Sequence, residues 1–198
     1  PDAYVHIIEE RSDGIIVSGA KISITMAAYA DEVIVVPTRA LREDDKDYAV
    51  AFAIPADWEG VRLITRPVWL RERKHIKAPI AELGGSDSFV VFDNTFIPKE
   101  RVFMCREWDF GRRLALLFAD SHRFSYCGCK PAVSDVLCGV TALVAEANNI
   151  ENLSHVRTKL SEFVGGAELA YAAGIASALH GEKTSSGTFF PNEVYVNV

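Results

Sequence analysis

The chain has 198 residues, of which 49% are hydrophobic and 24% charged, a composition typical of a globular protein and unlike a disordered or collagenous one. Its 21 basic and 27 acidic side chains give a net charge of −6, whereas a general nucleic-acid binder is usually basic, so we expect no nucleic-acid partner. No uncharged apolar run reaches the roughly 18–20 residues that a membrane span needs, so we expect no membrane partner.

The predicted elements of the first hundred residues are short strands. The Asp13-Gly14 dipeptide is a hairpin signal, and Val50, Phe52 and Ile54 alternate as on one buried strand face. Short strands about ten residues apart favour an antiparallel barrel or sandwich, which we assign to a domain over residues 1–103. The predicted strands are Tyr4–Glu9, Gly14–Ser18, Ala30–Pro37, Tyr48–Ile54, Val61–Ile64, Ser88–Phe92 and Phe96–Pro98.

After about Arg101 the apolar period changes to a helical one, which predicts the start of a helical domain over residues 104–198. Pro131 predicts a bend or interruption between the first two helices. The adjacent glycines Gly165 and Gly166 predict close helix packing. The fold class is therefore α+β, an antiparallel β domain followed by an antiparallel helical bundle. The predicted helices are Trp108–Arg123, Ala132–Ala147 and Leu153–His180.

The two ends of the chain indicate a piece of a longer protein. It begins at Pro1 without a signal sequence, and it stops in the alternating apolar run Val194–Val198, with no capping or turn residue after it. A trimmed or processed product is the alternative interpretation. Four cysteines are too few for a disulfide framework, so we expect a reducing, cytoplasmic setting.

Candidate chemistry is concentrated between Ala119 and Lys130. His122 and Cys129 are seven residues apart, which on a helix is about 20° from a common face, and Tyr126 lies on the same stripe. An imidazole with a thiolate suits zinc or an iron–sulfur cluster. Two ligands do not complete such a site, and a core histidine beside buried thiols is the alternative interpretation.

The segment His122–Lys130 resembles the His-Arg-x-Ser-Tyr-x-Gly-Cys-Lys signature of 4-hydroxybutyryl-CoA dehydratases. These enzymes are a branch of the 4-hydroxyphenylacetate 3-hydroxylase family of flavoproteins, whose fold is similar to that of acyl-CoA dehydrogenases. Residues Asp13–Thr25 and Val90–Pro98 are similar to two β motifs of the same family. The resemblance covers nearly the whole chain and marks it as a central fragment.

The resemblance implies two cofactors, FAD and a [4Fe–4S] cluster. It makes His122 and Cys129 cluster ligands, with two further cysteines in an N-terminal helical domain outside this chain. His122 and Tyr126 would act in catalysis, and Lys21 and Thr25 would bind the flavin. The chain departs from the dehydratase pattern where Asp87 replaces a catalytic Glu, Cys127 replaces a Gly and Ser23-Ile24 replaces a His-Gln pair.

The implied activity is that of a lyase, the radical dehydration of 4-hydroxybutyryl-CoA to crotonyl-CoA, with vinylacetyl-CoA Δ-isomerase activity. The full-length protein would be a cytoplasmic homo-oligomer, a tetramer, that takes an acyl-CoA substrate. One alternative is a reduced-flavin-dependent aromatic 3-monooxygenase, which holds no cluster, and another is an incomplete domain that is inactive alone. The basic run Arg71–Lys77 could contact CoA phosphates, although a solvated loop is the simpler interpretation.

Overall fold

The structure, a computed structural model, describes residues 3–66 and 85–197. The basic run Arg71–Lys77 therefore lies outside the described residues. The chain divides into two compact units, Pro1–Ala115 and Leu116–Val198. The first unit consists mainly of strands, and the second consists mainly of helices.

The first unit is a sandwich of two antiparallel sheets. One sheet has the strand order β1-β2-β6-β5 and the other has the order β3-β4-β7. These pairings join residues distant in sequence without closing into a barrel, which confirms the α+β prediction in its sandwich form. The strands are β1 His6–Glu10, β2 Gly14–Thr25, β3 Glu32–Val35, β4 Val50–Pro55, β5 Val61–Thr65, β6 Asp87–Pro98 and β7 Val102–Cys105.

The core of the sandwich is filled by aliphatic and aromatic side chains from both sheets. Val50, Phe52 and Ile54 are all buried, so the predicted buried face of β4 is confirmed. The Phe52 and Phe92 rings pack edge to face with their centroids 5.6 Å apart, a favoured arrangement for aromatic pairs. This packing joins β4 of the smaller sheet to β6 of the larger one.

Two strands are longer than the sequence predicts. Strand β2 continues past Ser18 to Thr25, because Gly19 takes a φ of 123° and lets the chain pass close to Tyr4. A Cβ at Gly19 would lie 2.3 Å from the Tyr4 carbonyl oxygen, so glycine is required there. The two strands predicted between Ser88 and Pro98 form the single strand β6, and β7 was not predicted.

The second unit is built on a helical hairpin of α1 Gly111–Ala147 and α2 Ser154–Leu179. A Cβ on Gly174 of α2 would lie 2.5 Å from the Cys127 Cβ of α1. Cys127 is 147 − 127 = 20 residues before the end of α1, and Gly174 is 174 − 154 = 20 residues after the start of α2. Equal distances from the connecting loop indicate that the two helices run antiparallel.

The predicted interruption at Pro131 is wrong, because α1 is continuous through this residue. Proline removes one backbone hydrogen bond and costs roughly 3 kcal/mol inside a helix. The remaining bonds of the 37-residue helix on both sides maintain it, and the Pro131 ring is buried. Two helices predicted from the apolar pattern are therefore one.

The predicted close packing at Gly165 and Gly166 is also wrong for the described residues. A Cβ at either position would meet nothing within 4 Å, whereas Gly174 is the glycine at which the helices approach. The alternating run at the C-terminus lies largely in the short helix α3 Glu193–Val196. The Asn192 side chain caps α3 by accepting the Val194 N–H, which favours a helix start over extended chain.

A two-stranded ribbon, β8 Glu182–Lys183 and β9 Phe189–Phe190, connects α2 to α3. The outer faces of the long helices are apolar and open to solvent. Leu143 is 66% exposed and Leu179 is 78% exposed, and Val136, Val140 and Val144 are exposed as well. By length and composition alone, α1 with the turn before it could cross a membrane, as its best 18-residue window has a mean hydropathy of 1.3.

Candidate functional site

The first group of candidate residues lies at the paired ends of β2 and β6. Thr25 stands directly opposite Asp87 in the antiparallel register. The Thr25 hydroxyl donates a hydrogen bond to Asp87 Oδ1 at 2.7 Å. The structure therefore brings together two predicted site residues that are 62 positions apart in sequence, and it leaves Asp87 Oδ2 free of any hydrogen bond to a described residue.

Lys21 does not join this pair. It stands opposite Val90, three positions from Asp87, and side chains alternate along β6, so Lys21 and Thr25 lie on opposite faces of the sheet. The Lys21 Nζ donates to the Val36 carbonyl oxygen at 2.7 Å. Burial lowers the pKa of the Lys21 ammonium group below its ordinary value.

The face that carries Thr25 and Asp87 is open and apolar. Ile64 and Phe89 are directly paired on β5 and β6, and both are exposed, as is Ile22 of β2. A flat apolar surface with a polar pair at its edge can accept a planar ring whose rim forms hydrogen bonds. None of these three apolar residues was predicted, although alternation along the strands places them on the same face as Asp87.

Ser86 was also missed by sequence reasoning. It is 4% exposed, and its hydroxyl has no hydrogen-bond partner among the described residues. Its carbonyl oxygen accepts the Met26 N–H at 2.8 Å, which continues the β2–β6 pairing beyond Thr25. A buried hydroxyl without a partner is uncommon, and it marks this end of the strand pair as a place that can take a further polar group.

The second group lies on α1, in the helical unit. Tyr126 Oη and His122 Nε2 are 2.8 Å apart, within hydrogen-bond distance. The Phe118 ring stacks on the His122 ring with 5.6 Å between centroids, and Lys130 Nζ lies 4.7 Å from the centre of the Tyr126 ring. These four residues follow one another at i, i+4 spacing, so each supports the next along one helix stripe. Phe118 and Lys130 could have been found from that spacing.

Cys129 belongs to the same helix face as His122. At 100° per residue it lies about 20° from His122, and His122, Tyr126 and Cys129 are all exposed. Cys127 points the other way, about 140° from His122, and packs against Gly174. The structure thus separates the two neighbouring cysteines, with Cys129 on the open face and Cys127 inside the hairpin.

On α1, one imidazole and one thiol lie on the same exposed helix face. Among the described residues there is no group of three or more His, Cys, Asp or Glu side chains that could hold a metal ion. All four cysteines are free thiols, so Cys129 remains available as a ligand. One imidazole and one thiolate on an open face fit a cluster only if other segments supply the remaining ligands.

Family models cover nearly the whole chain. The N-terminal model of 4-hydroxyphenylacetate 3-hydroxylase matches residues 1–104, and the C-terminal model of the same enzyme matches residues 112–198. The chain belongs to the 4-hydroxyphenylacetate 3-hydroxylase family. The family resemblance expected from the motifs is thereby confirmed.

Within this family the chain is similar to proteins of two kinds. It is 41% identical over its whole length to a 4-hydroxybutyryl-CoA dehydratase/vinylacetyl-CoA Δ-isomerase of Clostridium aminobutyricum, of which it covers 41%. It is 34% identical over 82% of its length to the oxygenase component of a 4-hydroxyphenylacetate 3-monooxygenase of Geobacillus sp., of which it covers 34%.

A solved structure of a dehydratase is also similar to this chain. The oxygen-tolerant archaeal 4-hydroxybutyryl-CoA dehydratase of N. maritimus is similar with a TM-score of 0.85 and 36% identity, over 99% of this chain and 40% of that one. The chain therefore spans 34–41% of the length of these relatives. The expectation of a central fragment is consistent with that coverage.

Proposed function

We propose that the chain is the central part of an FAD- and [4Fe–4S]-dependent dehydratase. This enzyme converts 4-hydroxybutyryl-CoA to crotonyl-CoA and isomerises vinylacetyl-CoA. The observation that carries the proposal is the exposed α1 face of His122, Tyr126 and Cys129, in a chain 41% identical over its full length to a dehydratase of this kind. The identity to the monooxygenase is lower and covers less of the chain.

The β unit fits a flavin at the end of β2 and β6. The open surface of Ile22, Ile64 and Phe89 offers apolar contact to an isoalloxazine ring, and the Thr25–Asp87 pair offers polar contact at its edge. Lys21, on the opposite face, is better suited to holding β2 against Val36 than to contacting the same ring.

The helical unit fits two ligands of a cluster, His122 and Cys129. When bound, a flavin supplies one-electron chemistry and an iron–sulfur cluster supplies a Lewis-acidic iron for the leaving hydroxyl. The Tyr126 hydroxyl lies 2.8 Å from His122 Nε2 and would orient the imidazole, so that Nδ1 is the nitrogen left to bind iron. Asp87 keeps one carboxylate oxygen on Thr25, and its other oxygen can accept a proton from a substrate carbon or hydroxyl.

The main alternative is a reduced-flavin-dependent aromatic monooxygenase without a cluster. It is favoured by the similarity to the Geobacillus oxygenase component. The two functions make opposite demands on His122 and Cys129, because only the dehydratase needs iron. Turnover of 4-hydroxybutyryl-CoA without oxygen supports the dehydratase, and hydroxylation of 4-hydroxyphenylacetate with reduced flavin and oxygen supports the alternative.

The substitution His122→Ala tests the proposed cluster. In the full-length protein, prepared without oxygen, we expect this change to abolish the iron–sulfur absorbance and to lower the iron content by at least about tenfold, because one ligand is lost. His155→Ala is the matched control, since His155 is an exposed histidine on α2. Iron retained at the wild-type level in His122→Ala would contradict the proposal.

The remaining assignments belong to the full-length protein. We place it in the cytoplasm because its four cysteines are free thiols and its proposed substrate is a CoA thioester. The exposed apolar faces of α1 and α2 support assembly into a homo-oligomer, for which we propose a tetramer. The isolated chain is expected to be inactive, since it carries only two of four cluster ligands.

A further inference from the structure

A buried carboxylate lies two residues before His122 on α1. Asp120 is 7% exposed, and the proposed reaction gives it no role. Its Oδ1 accepts a hydrogen bond from Asn197 Nδ2 at 3.4 Å and lies 3.7 Å from Arg123 Nη1. Arg123 Nη1 also donates to Asn197 Oδ1, which closes a triangle between α1 and the residue that follows α3. Buried charges are costly unless they are paired in this way.

The other end of α3 is attached to α2. The Ser177 hydroxyl donates to the Asn192 carbonyl oxygen at 2.8 Å, and the Asn192 N–H donates to the Ser177 carbonyl oxygen at 3.0 Å. Ser177 is fully buried, and Asn192 also caps α3. Hydrogen bonds therefore connect α2 through α3 to the turn of α1 that carries His122. We call Asp120, Arg123 and Asn197, with α3, the strut.

The strut contacts α1 away from the face that carries His122 and Cys129. At 100° per residue, Asp120 lies about 160° and Arg123 about 100° from His122. A side-chain tip lies about 5–6 Å from a helix axis, so a rotation of about 10° moves it by about 1 Å. Displacements of that size can cost about a hundredfold in rate. A change in these contacts that rotates α1 would therefore displace the exposed side chains of His122 and Cys129.

We propose that Asp120, Arg123 and Asn197 are positioning residues, which fix the rotation of α1 so that His122, Tyr126 and Cys129 meet the cluster in the productive geometry. This inference rests on the proposed function. None of the three touches the reacting atoms. Their effect passes through the orientation of His122.

Exchanging the carboxylate and the amide across the strut tests the inference in the full-length protein. Asn197→Asp places two carboxylates together, and Asp120→Asn removes the charge that faces Arg123. We expect each single variant to lower kcat by about tenfold, to leave KM and iron content within about twofold, and to shift the Mössbauer spectrum of the His-bound iron. The double variant restores one carboxylate, one amide and the guanidinium, and we expect kcat to return to within about threefold of wild type.

Amide hydrogen exchange of residues 119–126, measured on the same proteins, shows how firmly the strut holds this segment of α1. The measurement does not depend on whether the protein contains iron. Each single variant should exchange faster in this segment, and the double variant should recover. Thr158→Ala is the control, because the Thr158 hydroxyl bonds only within α2. If the wild-type protein, prepared without oxygen, contains no iron, the proposed function is wrong, but the exchange measurements still test the strut. The strut proposal is wrong if the single variants keep the wild-type exchange rates and Mössbauer spectra. It is also wrong if kcat of the double variant is no higher than that of the less active single variant.

Discussion

At the scale of single residues, Lys21 shows how burial sets a pH dependence. Its pKa is lowered from the ordinary 10.5 by desolvation, so the folded protein binds this proton less tightly than the unfolded chain does. The charged form therefore destabilises the fold at neutral pH. The free energy of unfolding rises as the pH passes through the folded pKa, and the penalty is gone above the unfolded value.

The substitution Lys21→Met should remove this dependence. As the pH rises from 7 to above 10.5, we expect the free energy of unfolding of wild type to increase relative to that of the variant, since the lysine is then uncharged in both the folded and the unfolded chain. Urea unfolding of both proteins across this pH range measures the difference. A difference that stays constant with pH would mean that burial of the ammonium group does not govern its titration.

At the scale of elements, Gly174 sets the approach of α1 and α2. Gly174→Ala would place a Cβ 2.5 Å from the Cys127 Cβ, so we expect a loss of about 1–3 kcal/mol in the free energy of unfolding. Removing the opposing side chain in the double variant Gly174→Ala/Cys127→Gly should recover much of this loss. Thermal or urea unfolding of wild type, Gly174→Ala, Cys127→Gly and the double variant measures the coupling between the two positions.

Gly165→Ala is the matched control on the same helix. Because a Cβ there meets no described residue within 4 Å, alanine should stabilise the protein by up to about 1 kcal/mol through its helix propensity. Equal effects of alanine at positions 165 and 174 would contradict the packing described for the hairpin. The same packing assigns Cys127 to the helix contact and leaves Cys129 on the ligand face.

At the scale of the whole molecule, the exposed apolar faces of α1 and α2 predict self-association of this chain. Leu143 and Val140 of α1 and Leu179 of α2 are all well exposed. Sedimentation velocity should show a weight-average mass that rises with protein concentration, and Val140→Lys/Leu143→Lys should reduce that rise. Asp135→Lys is the control, since it adds positive charge on α1 without removing apolar surface. A monomer at all concentrations would contradict this prediction.

Local pattern determined much of this protein. Alternation along residues 50–54 identified β4 and its buried face, because a strand has the same period wherever it is placed. The i, i+4 and i, i+7 spacings of His122, Tyr126 and Cys129 placed these residues on one helix face for the same reason. The signature in this segment also led to the family, which the family models then established.

Contacts between distant residues decided the rest. Whether β2 ends at Ser18 or continues to Thr25 depends on its pairing with β6, and that pairing also brings Thr25 to Asp87 and turns Lys21 to the other face. The long helix around Pro131 tolerates one missing backbone hydrogen bond. The local sequence pattern does not show this, because it depends on the length of helix on both sides. The rotation of α1 is set by Gly174 and Asn197, more than 40 residues away in sequence. Sequence periodicity is local, whereas strand register and helix rotation are minima of the tertiary packing, so only the folded structure reveals them.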